Sequence, residues 1–351
     1  MAGPTLRIDL DAIVANWRMM QRRIAPAVAA AVVKADAYGL GAERVAAALS
    51  KAGCTRFYVA WPQEGASLRR QLGPAPEILV FHGVTADTLD LFQMYTLQPV
   101  LNHLEQMELW LSSNIEQRPA AIHVDIGMNR LGLSEAHWAS AARMLPRPTR
   151  LISHLACGDE DSPANPAQLA RFQQAAALWP GIRRSLSATG GAYLGRDYHF
   201  DEVRPGIGLY GGGPMPNESS APQTVVTLTA PVLQVRDVKQ GDTVGYGCAW
   251  TAPADTQTAT IGLGYADGYL RHASNRAHVF VQGRKRAILG RVSMDLIVID
   301  VTGLSVSPGD DIELLGPNMP LSEVAAAMGT IDYEILTRLG SRLDRRYAGG
   351  E

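Results

Sequence analysis

Ala31-Val32-Val33-Lys34-Ala35-Asp36-Ala37-Tyr38-Gly39-Leu40-Gly41 is the stretch from which the rest of the chain is read. The apolar run from Ala27 to Val33 has the composition of a strand buried on both faces, as parallel sheets require. The lysine that ends it emerges at the strand's C-terminal end, where barrel enzymes hold their chemistry. Partial desolvation there lowers the ammonium pKa and leaves a free amine able to form a Schiff base. Position alone would leave Lys34 a surface lysine snorkelling at a strand end. The tyrosine and glycines that follow tip the reading toward a nucleophile.

Working outward toward the N-terminus, Leu6, Ile8 and Leu10 alternate as in a strand. Asp11 is placed to cap a helix that carries Ile13, Trp17 and Ile24 on one broad face. From there to about residue 205, short apolar runs alternate with helical stretches. Phe57 to Trp61, Ile78 to Phe81, Ile122 to Val124 and Leu151 to Ile152 are the clearer strands, while Gln98 to Leu101 and the segment near His199 to Val203 are less defined. Repeated βα units imply a parallel sheet closed into a barrel.

Around Gly211-Gly212-Gly213-Pro214-Met215-Pro216-Asn217 the chain becomes turn-rich. Beyond it, Val225 to Val235, Thr258 to Leu263, His278 to Val281, Ala287 to Val292 and Leu296 to Val301 read as an all-β region with one late helix near Leu321 to Met328. The expected division is residues 1–222 for the barrel and 223–351 for a β-domain, with the strand near residues 5–10 free to pair with the latter.

A chain of 351 residues, 46% hydrophobic and 19% charged, is long enough for two domains and belongs to an ordinary globular protein. A formal net charge of −2 with scattered basic residues gives no general attraction to nucleic acid, so no such partner is expected. The longest apolar run, Ala25 to Val33, is too short to span a membrane. Residues 1–10 lack the basic region and apolar stretch of a secretory signal, so a cytoplasmic location is expected. Cys54, Cys157 and Cys248 form no metal-spaced pair and suit a reducing compartment. Gly206, Gly208 and Gly211 satisfy Gly-x-Gly-x-x-Gly, but glycines and a proline follow instead of a helix. A dinucleotide-binding reading therefore fails.

Downstream, Gly262-Leu263-Gly264-Tyr265-Ala266-Asp267-Gly268-Tyr269 places a tyrosine between glycines. Supporting motifs are Ile8-Asp9-Leu10-Asp11-Ala12, Asp125-Ile126-Gly127-Met128-Asn129-Arg130-Leu131-Gly132, Arg204-Pro205-Gly206-Ile207-Gly208-Leu209-Tyr210-Gly211 and Gly290-Arg291-Val292-Ser293-Met294-Asp295. Together with the Lys34 segment, and over nearly the whole chain, these resemble the alanine racemases of the pyridoxal 5'-phosphate (PLP) dependent, fold-type III class. The resemblance implies an α/β fold with an N-terminal (β/α)8 TIM-like barrel followed by a mainly β C-terminal domain. It supplies the count of eight strands, which periodicity alone does not fix.

The resemblance further implies PLP bound covalently to Lys34, with Tyr38, Thr189 and the amides of Gly206 and Ile207 at its phosphate. Arg204 matches the arginine that faces the pyridine nitrogen. Because an arginine does not readily give up a proton, the ring nitrogen stays unprotonated, the cofactor is a weaker electron sink, and side reactions compete less well. Tyrosine's ordinary pKa near ~10 makes it a poor base at neutral pH, so Tyr265 needs a network favouring phenolate. A histidine matching His154 links Arg204 to that tyrosine in the family. Two bases on opposite faces of a planar carbanion account for racemisation, Lys34 serving D-alanine and Tyr265 serving L-alanine. Arg130 matches a residue at the cofactor's phenolic oxygen and the substrate region, and Met294 and Asp295 match the segment presented to substrate. No metal is implied. Family members pair head to tail as homodimers with shared sites, and their D-alanine serves as a peptidoglycan precursor.

Departures from the family pattern also stand out. Many members carry a carbamylated lysine just before the Val-Asp pair, where this chain has His123; the expectation is that a bound anion such as chloride, or another carboxylate, replaces that charge beside Arg130. Asn129 stands where glycine is frequent, and Ser341 lies in a region where some members have a pocket tyrosine. The rival readings are a racemase of serine, lysine or several amino acids, a non-catalytic PLP-binding protein, and, more remotely, a decarboxylase of the same two-domain architecture.

Overall fold

The computed structural model describes residues 3–113, 119–214 and 221–350, so Met215 to Asn217 of the turn-rich segment lie outside the described residues. Two compact units emerge. One comprises residues 13–209, 213–222 and 350–351, and the other residues 1–12, 210–212 and 223–349.

The chain opens with β1 (Thr5–Asp9) and a helix, Leu10–Ile24, whose Ile13, Trp17 and Ile24 are buried as the pattern predicts. The cap is Asp9 rather than Asp11: the Ala12 N–H donates to Asp9 Oδ1 at 2.9 Å. The helix begins one residue before Asp11, which therefore sits in its first turn, where a negative charge suits the helix dipole.

The predicted strand before Lys34 is present as two short stretches, β2 (Val28–Ala29) and β3 (Ala31–Val32), with residues 27 and 29–33 buried. Parallel neighbours follow in order: β4 (Arg56–Val59), β5 (Glu77–Val80), β6 (Gln98–Leu101), β7 (Ala121–His123), β8 (Arg150–Ile152) and β9 (Arg183–Ser185). β10 (Glu202–Val203) closes the ring. It pairs in parallel with β2, and its backbone is bonded toward β9 through Asp201 N to Arg184 O at 3.1 Å and Arg204 N to Ser187 O at 2.9 Å. Counting β2 and β3 as one interrupted strand gives eight strands, with helices such as Pro62–Leu72 and Ala164–Ala176 between them. At the interruption, Trp17 donates its indole N–H to Ala29 O, at the end of β2, at 3.0 Å.

The second unit is built on β11 (Val226–Val238), which pairs antiparallel with β1; β1 in turn pairs in parallel with the last strand. The remaining strands are β12 (Thr243–Val244), β13 (Trp250–Thr251), β14 (Thr256–Ile261), β15 (His278–Val281), β16 (Arg284–Ala287), β17 (Ile297–Asp300), β18 (Asp311–Leu315) and β19 (Asp344–Ala348). The expected strand at Ala287 to Val292 is instead a hairpin strand ending at Ala287, because Gly290 turns the chain with φ +74°. Two late helices occur where one is expected, Leu321–Ala327 and Asp332–Thr337.

Candidate active site

The backbone after β3 does something that its composition hides. Ala35, Asp36, Ala37 and Tyr38 all have φ between 52° and 58°, a single left-handed helical turn built without glycine. Each such residue costs roughly 1–2 kcal/mol, so surrounding bonds must hold it. The Ala35 N–H donates to Glu64 Oε1 at 2.7 Å, Ala37 N to Val33 O at 2.9 Å, and Ala42 N to Asp36 Oδ1 at 2.7 Å. Ala37 and Tyr38 are buried, which adds packing to the restraint.

Lys34 starts this turn half-buried, its Nζ 5.8 Å from the centre of the Phe81 ring. Burial chiefly, and then the Arg130 charge, lower its pKa, while Glu64 works in the opposite direction. Tyr38 ends the turn, and burial raises its phenol's pKa, so its hydroxyl remains a donor. That hydroxyl lies against Gly206, where a Cβ would come within 2.2 Å of it. Beside it, Thr189 Oγ1 accepts the Gly206 and Gly208 N–H groups at 3.1 and 3.2 Å, leaving its own O–H to donate. Ile207, between these glycines, is buried. Lys34, Tyr38, Thr189, Gly206 and Ile207 are thus brought to one corner of the barrel mouth. Hydroxyl donors, glycine backbone and an amine fit a phosphate-bearing aldehyde.

Arg204 is buried and lies deeper. Its guanidinium donates to the carbonyls of Ser185 at 2.8 Å, Ser153 at 2.5 Å and Leu186 at 3.2 Å, and to Ser185 Oγ at 2.5 Å. Strand-end oxygens therefore hold it, as a planar fork permits. His154 has its pKa pushed down to about 3, first by burial and then by the Arg204, Arg130, His123 and Lys34 charges. His123 is pushed down to about 4, again by burial first and then Arg204. Its Nδ1 lies 2.8 Å from Asn102 Oδ1, and the Asn102 amide nitrogen donates to the Phe81 and Val100 carbonyls. That orientation makes His123 Nδ1 the donor, and the lowered pKa makes the ring a neutral imidazole at pH 7. Arg130 is exposed at the rim, on a loop shaped by Asp125, whose carboxylate accepts the N–H groups of Gly127, Met128 and Asn129. Asn129 itself takes a positive φ of 54°, the conformation for which glycine is usual.

In the other unit, Tyr265 is 41% exposed on a loop fastened to the Ser293–Asp295 loop. Tyr265 N donates to Ser293 O and Ala266 N to Met294 O, both at 3.0 Å. Gly264 is required there: a Cβ would fall 2.3 Å from Met294 O. Arg342 ties the two loops together, donating to buried Asp267 at 2.9 Å and to Asp295 at 2.8 Å. Tyr265, Met294 and Asp295 thus form one platform.

Comparison with known proteins gives the family. Residues 8–214 match the family model described as alanine racemase, N-terminal domain, and residues 225–347 the one described as alanine racemase, C-terminal domain. The chain belongs to the alanine racemase family. The alanine racemase of Dinoroseobacter shibae is 48% identical, with 100% of this chain and 99% of that protein covered. That of Rhodospirillum rubrum is 44% identical, covering 99% and 96%. Among solved structures, alanine racemase from Bartonella henselae, with covalently bound pyridoxal phosphate, superposes with a TM-score of 0.94 at 38% identity, covering 99% of this chain and 100% of that one. The biosynthetic alanine racemase from Pseudomonas aeruginosa gives 0.93 at 35%, with the same coverage.

Two residues of this alanine racemase family member escape the sequence reading. Glu64 holds the lysine turn, and Arg342 joins the tyrosine loop to Asp295. Glu64 does carry a local signal, since Pro62 and Glu64 after Trp61 form a helix-start pattern; Arg342 carries none. No group of three or more metal-ligating side chains occurs among the described residues, and no described helix is long and apolar enough to cross a membrane.

Proposed function

We propose that this chain interconverts L-alanine and D-alanine with PLP held covalently at Lys34 Nζ. The observation that carries the reading is the left-handed turn that sets an amine of lowered pKa at one end and the Tyr38 hydroxyl, facing Gly206 and Thr189, at the other. Tyr38, Thr189 and the Ile207 amide would hold the phosphate, with Gly206, whose N–H goes to Thr189, giving the close backbone approach, and Arg204 would face the pyridine nitrogen. When bound, PLP supplies a conjugated electron sink that acidifies the α C–H of an attached amino acid.

The residues do the rest. Lys34 Nζ exchanges the α-proton on the D-alanine face and Tyr265 Oη on the L-alanine face. His154, its pKa lowered, would serve as the neutral link in the network that favours Tyr265 phenolate, and Arg130, Met294 and Asp295 would orient substrate. Lys34 is one of only four lysines in the chain, with Lys51, Lys239 and Lys285. Of these, Lys239 and Lys285 are tied up in ion pairs with Asp255 and Glu323. The three free cysteines suit work in the cytoplasm.

Incubating the PLP-loaded protein separately with L-alanine, L-serine and L-lysine, then resolving enantiomers by chiral chromatography, tests the substrate. Alanine should convert fastest; a different leader would reassign the substrate, and no conversion would overturn the reading. We further propose that two copies form a homodimer in which Tyr265 serves the partner's site. Mixing inactive Lys34→Ala and Tyr265→Phe chains should then restore one working site per heterodimer, and no recovery after proven subunit exchange would reject sharing.

A further inference from the structure

Glu64 sits at the third position of the helix Pro62–Leu72, where a glutamate normally turns back to accept the N–H of the capping residue. One of its oxygens does this, accepting Trp61 N at 3.0 Å and Ala60 N at 2.7 Å. Helix capping needs nothing more. Yet Oε1 reaches out of the helix to Ala35 N at 2.7 Å, 29 residues earlier, the first peptide of the left-handed turn. One carboxylate therefore bonds the loop after β3 to the loop after β4, with an anionic acceptor on each of three amides.

We propose that Glu64 is a positioning residue, a carboxylate latch that keeps the Ala35–Tyr38 turn left-handed and so fixes Lys34 Nζ relative to the Tyr38 hydroxyl. The geometry leaves little else to do so at the turn's start. Ala35 and Asp36 are exposed, and the bonds that hold the rest of the turn, Ala37 N to Val33 O, Gly41 N to Asp36 O and Ala42 N to Asp36 Oδ1, leave the Ala35 N–H to Glu64. Released from Glu64, the turn would relax toward a right-handed or extended path, as alanine and aspartate prefer. Lys34 and Tyr38 would then no longer present amine and hydroxyl to one ligand. The inference rests on the proposed PLP role of Lys34 for its meaning, but not for its structural test.

A glutamine at position 64 keeps the shape and can accept at only one of the two loops. In the apoprotein, Glu64→Gln should speed amide hydrogen exchange in peptides covering residues 33–41 while leaving those of β6 to β8 unchanged. PLP affinity, read by absorbance titration, should fall about tenfold with little change in melting temperature. Adding Ala35→Gly, which removes the steric cost of a positive φ, should recover much of that loss without raising the melting temperature. A merely structural role predicts instead that affinity follows the melting temperature and that Ala35→Gly rescues nothing. That result, or wild-type exchange and affinity in Glu64→Gln, would overturn the latch. Should Glu64→Gln fail to fold, Glu64→Asp, which keeps the charge but shortens the reach, must show the same local exchange and recovery or the latch is rejected. A wild-type chain that binds no PLP would instead reject the functional reading and leave the exchange result to judge Glu64.

Discussion

Where the barrel strands begin, Arg56, Glu77, Arg150, Arg183 and Glu202 are each the first residue of a strand, and the two glutamates are shared in ion pairs among the three arginines. Where the strands finish, Lys34, His82, His123, His154 and Arg204 converge, and the carboxylates that act on the lysine and on His82 and His123, Glu64 and Asp125, do not offset burial. Titration follows the contrast. At the first end burial would lower the Arg150 pKa, but Tyr58, Glu202 and Glu77 outweigh it and raise the value. At the second, burial leads: like charges add to it and outweigh Glu64 and Asp125 at Lys34 and His123, and like charges alone add to it at His154. At Arg204 burial prevails against Tyr58 and Glu202, so all are shifted down. The ion cluster ties the strand starts together; the cationic mouth lowers the lysine pKa, keeps the His123 and His154 imidazoles neutral and is shaped for an anion. Stability and chemistry are thus placed at opposite ends of the same strands.

The sharpest way to break this comparison is to delete one residue from each end. Lys34→Ala should lower racemase activity by more than ~10³-fold and leave the unfolding transition in place. Glu202→Ala should do the reverse. Tyr58 donates to one oxygen of Glu202 and Arg56 to the other at 3.2 Å, so the substitution strands buried cations and should cost about 3–5 kcal/mol in urea unfolding, with activity per folded molecule retained. If Lys34→Ala unfolds the chain, or Glu202→Ala silences a folded one, the division is wrong.

A smaller effect concerns acid. His123 and His154 have folded pKa values below the ordinary one, so the unfolded chain binds their protons first. Their contribution is present above about pH 6.5 and is lost as pH falls toward 4 and then 3. Melting followed across that window should show stability falling with a slope of the order of 1 kcal/mol per pH unit for each such histidine. His154→Gln should flatten it, and an unchanged slope would count against a buried neutral imidazole. The finest adjustment is Arg130→Met. Removing that charge should move the Lys34 pKa up, seen as a higher pH midpoint for Lys34 labelling by mass spectrometry. A fall would contradict the electrostatic account of the mouth.

Much of this was legible in the residues. The apolar run before Lys34 and the βα alternation point to a parallel barrel, and the glycine-flanked tyrosine marks its loop. The left-handed turn was not, because Ala-Asp-Ala-Tyr contains no glycine and reads as ordinary helix or loop. β19 was missed since Asp344, Arg345 and Arg346 lack an apolar face, its partner being β1 at the other end of the chain. The cap at Asp9 rather than Asp11 turns on a one-residue helix boundary. Arg342 and the outward oxygen of Glu64 act over separations of 75 and 29 residues, which no local pattern records.

The most direct test of the cationic mouth uses the scarcity of lysine. The PLP-loaded protein would be reduced with borohydride, digested, and the pyridoxyl group located by mass spectrometry. The account predicts one group per chain, on Lys34, with Lys51, Lys239 and Lys285 unmodified. A label spread over those three lysines, or absent from Lys34, would contradict it.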